Sequence, residues 1–165
     1  MADLKRGIPI TTAGTQVCWA VETVAGTMPT SAKLIPDIKE IPDLNPQPES
    51  LETTDLSCTE YKTFTDGLKD LSGANSFVAN LTSLLETEWS NMCDAYETAK
   101  ESGLKFWVYI ITPGLQTAAY TASPSRLGIN ARQVNAVNEI NCYITPNGEV
   151  VRTNEKITVT YPQGA

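Results

Sequence analysis

The sequence predicts a mainly β fold: a β-sandwich or barrel with one flanking α-helix. Three observations lead there. Several short segments alternate apolar and polar residues with period two, as half-buried strands do. Only residues 83–102 carry apolar residues at helical spacing. Gly, Pro and Asn punctuate the chain between these segments, marking turns. A chain of 165 residues is long enough to bury a substantial core and suits a single domain, 1–165.

Taken in order, residues 1–14 read as an N-terminal arm with Lys5 and Arg6, broken by Gly7, Pro9 and Gly14. Residues 15–22 set Val17, Trp19 and Val21 against Gln16, Cys18, Ala20 and Glu22, a half-buried strand. Residues 26–31 form a turn or loop, and 33–41 an extended segment that Pro36 marks as an edge or a bulge. Residues 74–82 form a strand with Asn75, Phe77, Ala79 and Leu81 on one face. Ser83, with Glu86 three residues on, reads as a capping box that opens the helix. Leu85, Trp89, Met92, Tyr96 and Ala99 make its apolar stripe, which must be buried on the sheet, and Gly103 ends it in the left-handed region. Residues 104–111 are apolar on both faces and predict a strand covered on both sides. Pro113-Gly114 turns the chain into a weaker Ala- and Thr-rich strand, 115–122, and 123–131 is a loop. Residues 134–144 alternate again, with Val134, Ala136, Ile140, Cys142 and Ile144 inward. Asn135, Glu139, Asn141 and Tyr143 face outward. Asn147-Gly148 predicts a type I′ hairpin into 149–152, and 156–161 is a last short strand. The expected count is about seven strands and one helix.

Composition narrows the function. A net charge of −7 argues against binding nucleic acid by neutralising phosphates. The acid is concentrated: residues 37–70 hold nine acids against three lysines, and 86–101 hold five against one. Nothing like an apolar signal core follows Met1, and no apolar run approaches the roughly 20 residues of a membrane span. The four cysteines, Cys18, Cys58, Cys93 and Cys142, are widely spaced and are expected as reduced thiols. The chain has no histidine, which removes the usual Ser-His and Cys-His nucleophiles and the commonest metal ligand. No phosphate-cradling glycine motif is present. The carboxylates fall in the long connection and on a solvated helix face, where they read as surface charge. No catalytic residue, cofactor or metal site is expected, and the chain is not read as an enzyme.

One stretch is left over. Residues 42–72 form a connection far longer than the usual 4–6 residues or so. Pro42, Pro46 and Pro48 exclude a helix or a central strand at its start. Leu51, Leu56, Tyr61 and Phe64 then supply apolar surface that a solvent loop does not need. The blocks IPDLNPQPESLETTDL and YKTFTDGLKDLSG resemble the major tail tube protein of long-tailed bacteriophages with non-contractile, siphovirus-type tails. TQVCWAVE and GTMPTS before them, and SFVANLT, a helix and FWVYI after them, extend the resemblance over about residues 8–145. It implies a structural virion subunit that forms hexameric rings, stacked into a tube that conducts DNA. The long loop, 42–72, and the N-terminal arm would reach neighbouring subunits. The tape measure protein would lie inside the tube, with tail terminator and distal tail proteins at its ends. Double-stranded DNA would pass without specific binding. The subunit would be found in host cytoplasm before assembly and in the virion afterwards, with no membrane involved. The expected lumen-facing residues are Glu22, Asn135, Glu139 and Asn141, a neutral-polar to mildly acidic lining.

Three other readings stay open: a tube protein of a contractile tail or injection machine, a monomeric β-sandwich binding module whose loop grips a ligand, and a small hydrolase using loop carboxylates.

Overall fold

A computed structural model describes residues 9–71 and 76–162. Most of the predicted N-terminal arm, and Asn75 of the predicted strand 74–82, lie outside the described residues. The first half of the chain holds β1 (Gln16–Val21), β2 (Ser31–Leu34), β3 (Ile38–Glu40), β4 (Gln47–Glu52), β5 (Phe64–Asp70) and β6 (Ser76–Asn80). Then come α1 (Ser83–Glu101), β7 (Phe106–Ile111), β8 (Thr117–Pro124), β9 (Glu139–Pro146), β10 (Val151–Thr153) and β11 (Thr158–Thr160). The fold is mainly β with one helix, as the sequence predicts. Nine strands form one sheet in the order β11-β2-β1-β7-β8-β9-β6-β3, with β10 also paired to β8. It curls into a half-barrel. β4 and β5 form a separate two-stranded sheet.

The curled sheet wraps its main core around α1. Trp19 from β1, Phe106 and Val108 from β7, Tyr120 from β8, Ile140, Cys142 and Ile144 from β9 and Phe77 from β6 meet Leu85, Trp89 and Met92 of the helix there. Trp19 and Phe106 stack with ring centroids 5.7 Å apart, and Tyr96 meets Phe106 edge-on. A second, smaller core lies on the other face of the central strands, where Cys18, Ala20, Tyr109 and Ala119 are covered by Met28 and Ile157. β1 is therefore buried on both faces rather than one, because β2 and β7 flank it and a core lies on each side. Small residues on β8 suit this position: Ala119 sits opposite Tyr109, and Ala118 opposite Ile110.

The helix starts at Ser83 as expected, but its cap lies one residue before the predicted one. Thr82 is the N-cap, extended at φ −127°, and its hydroxyl accepts from the Leu85 N–H at 3.2 Å. The same hydroxyl donates to Asp37 at 2.6 Å, which ties the helix start to the turn before β3. At the other end Gly103 takes φ 72°. The Leu104 N–H reaches the Ala99 carbonyl and the Gly103 N–H that of Lys100, a Schellman pair closing the last turn.

Three further expectations change. Residues 33–41 split into β2 and β3 at the Pro36-Asp37 turn, where Asp37 is left-handed at φ 62°. The strand predicted over 134–144 starts only at Glu139, because Asn135 also adopts φ 62° and ends any extended run there. Asn147-Gly148 does not make a hairpin. β9 pairs with the end of β8, β10 pairs with its beginning, and the Asn147 N–H bonds to the Thr121 carbonyl between them. The Asn-Gly pair thus lets one long strand step along a single partner without reversing.

Candidate assembly surfaces

The long connection is not a loop. Its two arms pair antiparallel as β4 and β5, from Gln47 opposite Asp70 to Glu52 opposite Phe64. The prolines shape it as their chemistry requires. Pro42 and Pro46 precede the ribbon, and Pro48 lies in β4, an edge strand, where its missing N–H costs least. The register slips between Pro48 and Ser50, so Glu49 faces two residues, Gly67 and Leu68. Gly67 suits this bulge: a Cβ there would stand 3.0 Å from the Glu49 carbonyl oxygen, so the facing backbone would have to give by a few tenths of an ångström. Beyond Glu52 the ladder continues through the Thr53 N–H to the Thr63 carbonyl at 2.7 Å. Asp55 closes the tip by accepting from the Ser57 N–H and hydroxyl and from the Cys58 thiol. Those bonds hold its carboxyl below the ordinary 3.8.

The hairpin is exposed along its length. Leu56 is fully exposed, Tyr61 and Leu68 are 83% and 86% exposed, and Leu51 and Phe64 are also open. Among the described residues the ribbon pairs with no other strand, so both outer edges keep free backbone groups there. At its root it borders the β9–β10 step, where Pro46, Lys69 and Leu71 line a cleft with Asn147 and Val150.

The expected lumen residues separate into three environments. Glu139 and Asn141 point outward from β9, opposite Asn80 and Val78 of β6. Glu139 forms an ion pair with Lys39, which neutralises its charge. Asn135 is exposed too, but on the turn before β9 rather than in line with it. Glu22 does not belong to this face. It is 2% exposed, because strand parity places it on the side of Cys18 and Ala20. Its backbone N–H donates to the Lys105 carbonyl at 3.1 Å, and its Oε1 accepts from the Lys105 N–H at 2.8 Å. Its Oε2 has no partner among the described residues.

Of the helix core residues, Leu85, Trp89 and Met92 are buried and Tyr96 is half-buried. Trp89 also donates through Nε1 to the Ser125 carbonyl at 2.8 Å, and the Tyr96 hydroxyl shares a hydrogen bond with Ser123. These bonds fix the start of segment 125–138, an exposed stretch whose first half was expected as a loop and whose Val134 and Ala136 were expected to face inward. Ile129, Val134 and Val137 are exposed on it at 84%, 91% and 75%. The inward assignment of Val134 and Ala136 rested on an alternation that the left-handed Asn135 interrupts.

Burial pushes the Cys18 and Cys142 thiols up to about 12 and raises Cys93 as well, which leaves these three protonated and inert. Cys58, at the hairpin tip, is only half-buried. Burial raises Tyr109, with lesser contributions from Glu22 and Glu155, and its hydroxyl donates to the Pro29 carbonyl. None of these groups forms a nucleophile–base pair. No helix among the described residues is long and apolar enough to cross a membrane. No protein-family model matches the chain, and no curated protein matches it in sequence.

Proposed function

We propose that this chain is a structural subunit that assembles with copies of itself, and that the assembly is the tail tube of a long-tailed phage. The observation that carries the reading is the hairpin. It displays Leu51, Leu56, Tyr61, Phe64 and Leu68 to solvent and has two unpaired edges. A two-stranded ribbon alone is marginally stable in water, and open edges with apolar faces invite pairing with another chain. The blocks that resemble tail tube proteins lie in the same segment. Rings of six subunits, stacked coaxially, would bury these hairpins between neighbours and leave the polar face of β9 available as a wall. Such a wall carries Asn141 and a neutralised Glu139, which neither bind phosphate nor offer grease to a sliding duplex. In that setting the tape measure protein would fill the tube before ejection, terminator and distal tail proteins would cap it, and the virion would be the final location. Light scattering over a concentration series tests the assembly. Particle mass rising steeply above a threshold is expected; a constant monomer mass at every concentration would overturn the reading.

A further inference from the structure

Two surfaces of this chain lack a partner, and they are opposite in charge. The hairpin carries Glu49, Glu52, Asp55, Glu60, Asp66 and Asp70 against Lys62 and Lys69. Segment 125–138 carries Arg126 and Arg132 and no acid. Where this segment passes α1 it leaves a groove of about 380 Å³, with Trp89, Ile129 and Ile140 on its apolar walls and Arg126, Arg132 and Glu86 at its polar positions. Arg126 is already held by Asp94 at 2.7 Å and Glu97 at 3.2 Å. Arg132 makes no ion pair among the described residues, so it is the cation left to attract a ligand. No hairpin residue lines the groove in the same chain.

We infer that the groove beside α1 receives the hairpin tip of a second copy, with Leu56 and Tyr61 entering it and Glu60 meeting Arg132. This rests on the reading of the chain as a self-assembling subunit and names the acceptor for its arm. The match is chemical on both counts. Apolar side chains that are exposed in one copy meet an apolar cavity in the other, and an acidic tip meets the cation its neighbour leaves free. Donor and acceptor are different patches of one surface. The contact is therefore heterologous, the kind that closes into rings or propagates as a filament rather than stopping at a dimer.

Two experiments on the full chain test it. Arg132→Glu should raise the concentration for half-assembly by about tenfold or more, and adding Glu60→Arg should recover most of that loss. Both residues are exposed, so the monomer's melting temperature should not move. Unchanged assembly in Arg132→Glu, or no recovery in the double variant, would overturn the inference. The second experiment uses the native thiol of Cys58 with Ile129→Cys under a mild thiol oxidant. Each chain then has one thiol on the tip and one at the groove, and a non-reducing gel should show a ladder beyond dimer. A product that stops at dimer, from Cys58 pairing with itself, while wild type still forms rings, would overturn the inference and leave the assembly reading intact. A ladder from protein that never forms rings or tubes would support the docking and overturn the tube.

Discussion

Glu22 carries its carboxylate into the second core and holds it there on one backbone N–H. Glu22→Ala would leave the part-buried Lys105 N–H without its acceptor, at a cost of about 1 kcal/mol. The denaturant midpoint should fall accordingly, and an unchanged midpoint would show that water replaces the carboxylate freely. Asp55 works at the opposite extreme, on the exposed hairpin tip. Its hydrogen bonds to Ser57 and Cys58 favour the charged form and depress its pKa below 3.8. A depressed carboxylate contributes order that is fully present above the unfolded value and is lost as pH falls through the folded one. The Ser57 amide shift should therefore titrate with a midpoint below pH 3.8; a midpoint above that pH would contradict the turn. Glu22 shows why single residues were hard to read from sequence. Period-two alternation assigns it correctly to the side opposite Trp19, but does not reveal that this side is covered too. Glu139 and Asn141 were legible because β9 has only one covered face.

The helix was the most legible element, since Leu85, Trp89 and Met92 at helical spacing and Gly103 at the end specify both face and terminus. Its cap was misplaced by one residue because Thr82 and Ser83 are both good caps, and only the Asp37 contact selects Thr82. Trp89→Ala should destabilise the subunit by about 3–5 kcal/mol, through the lost ring and the unpaired Ser125 carbonyl. A melting temperature within a degree of wild type would show that Trp89 is not core. The hairpin was illegible as strands for a physical reason. Its bulge at Gly67-Leu68 breaks the period-two pattern, and Pro48 disqualifies β4 from any central position. Gly67→Ala should cost about 1–3 kcal/mol by overpacking, more than a marginal ribbon can absorb. Amide exchange should then accelerate across 47–70 while the body melts as before. Exchange unchanged from wild type would show that the bulge accommodates a Cβ. The Asn-Gly step after β9 misled in the opposite sense: a strong turn dipeptide is overridden because Thr121 offers Asn147 a ladder partner.

At the scale of the molecule, the half-barrel and its helix form a body with two cores, and the hairpin stands outside both. The sheet's own edge strands, β3, β10 and β11, are three residues each, too short to recruit another chain easily. The hairpin has the longer open edges and the exposed apolar side chains, so the account divides folding from assembly: the body folds alone, and the hairpin joins copies. Gln47 and Asp70 are paired neighbours, so a short Gly-Ser linker can replace 47–70 without disturbing the body. Negative-stain microscopy of wild type beside this excision variant is the most direct measurement. The account predicts hollow tubes built of stacked six-membered rings from wild type, and a soluble, cooperatively melting monomer that forms none from the variant. Tubes of normal appearance from the variant, or isolated monomers from wild type at every concentration, would contradict it.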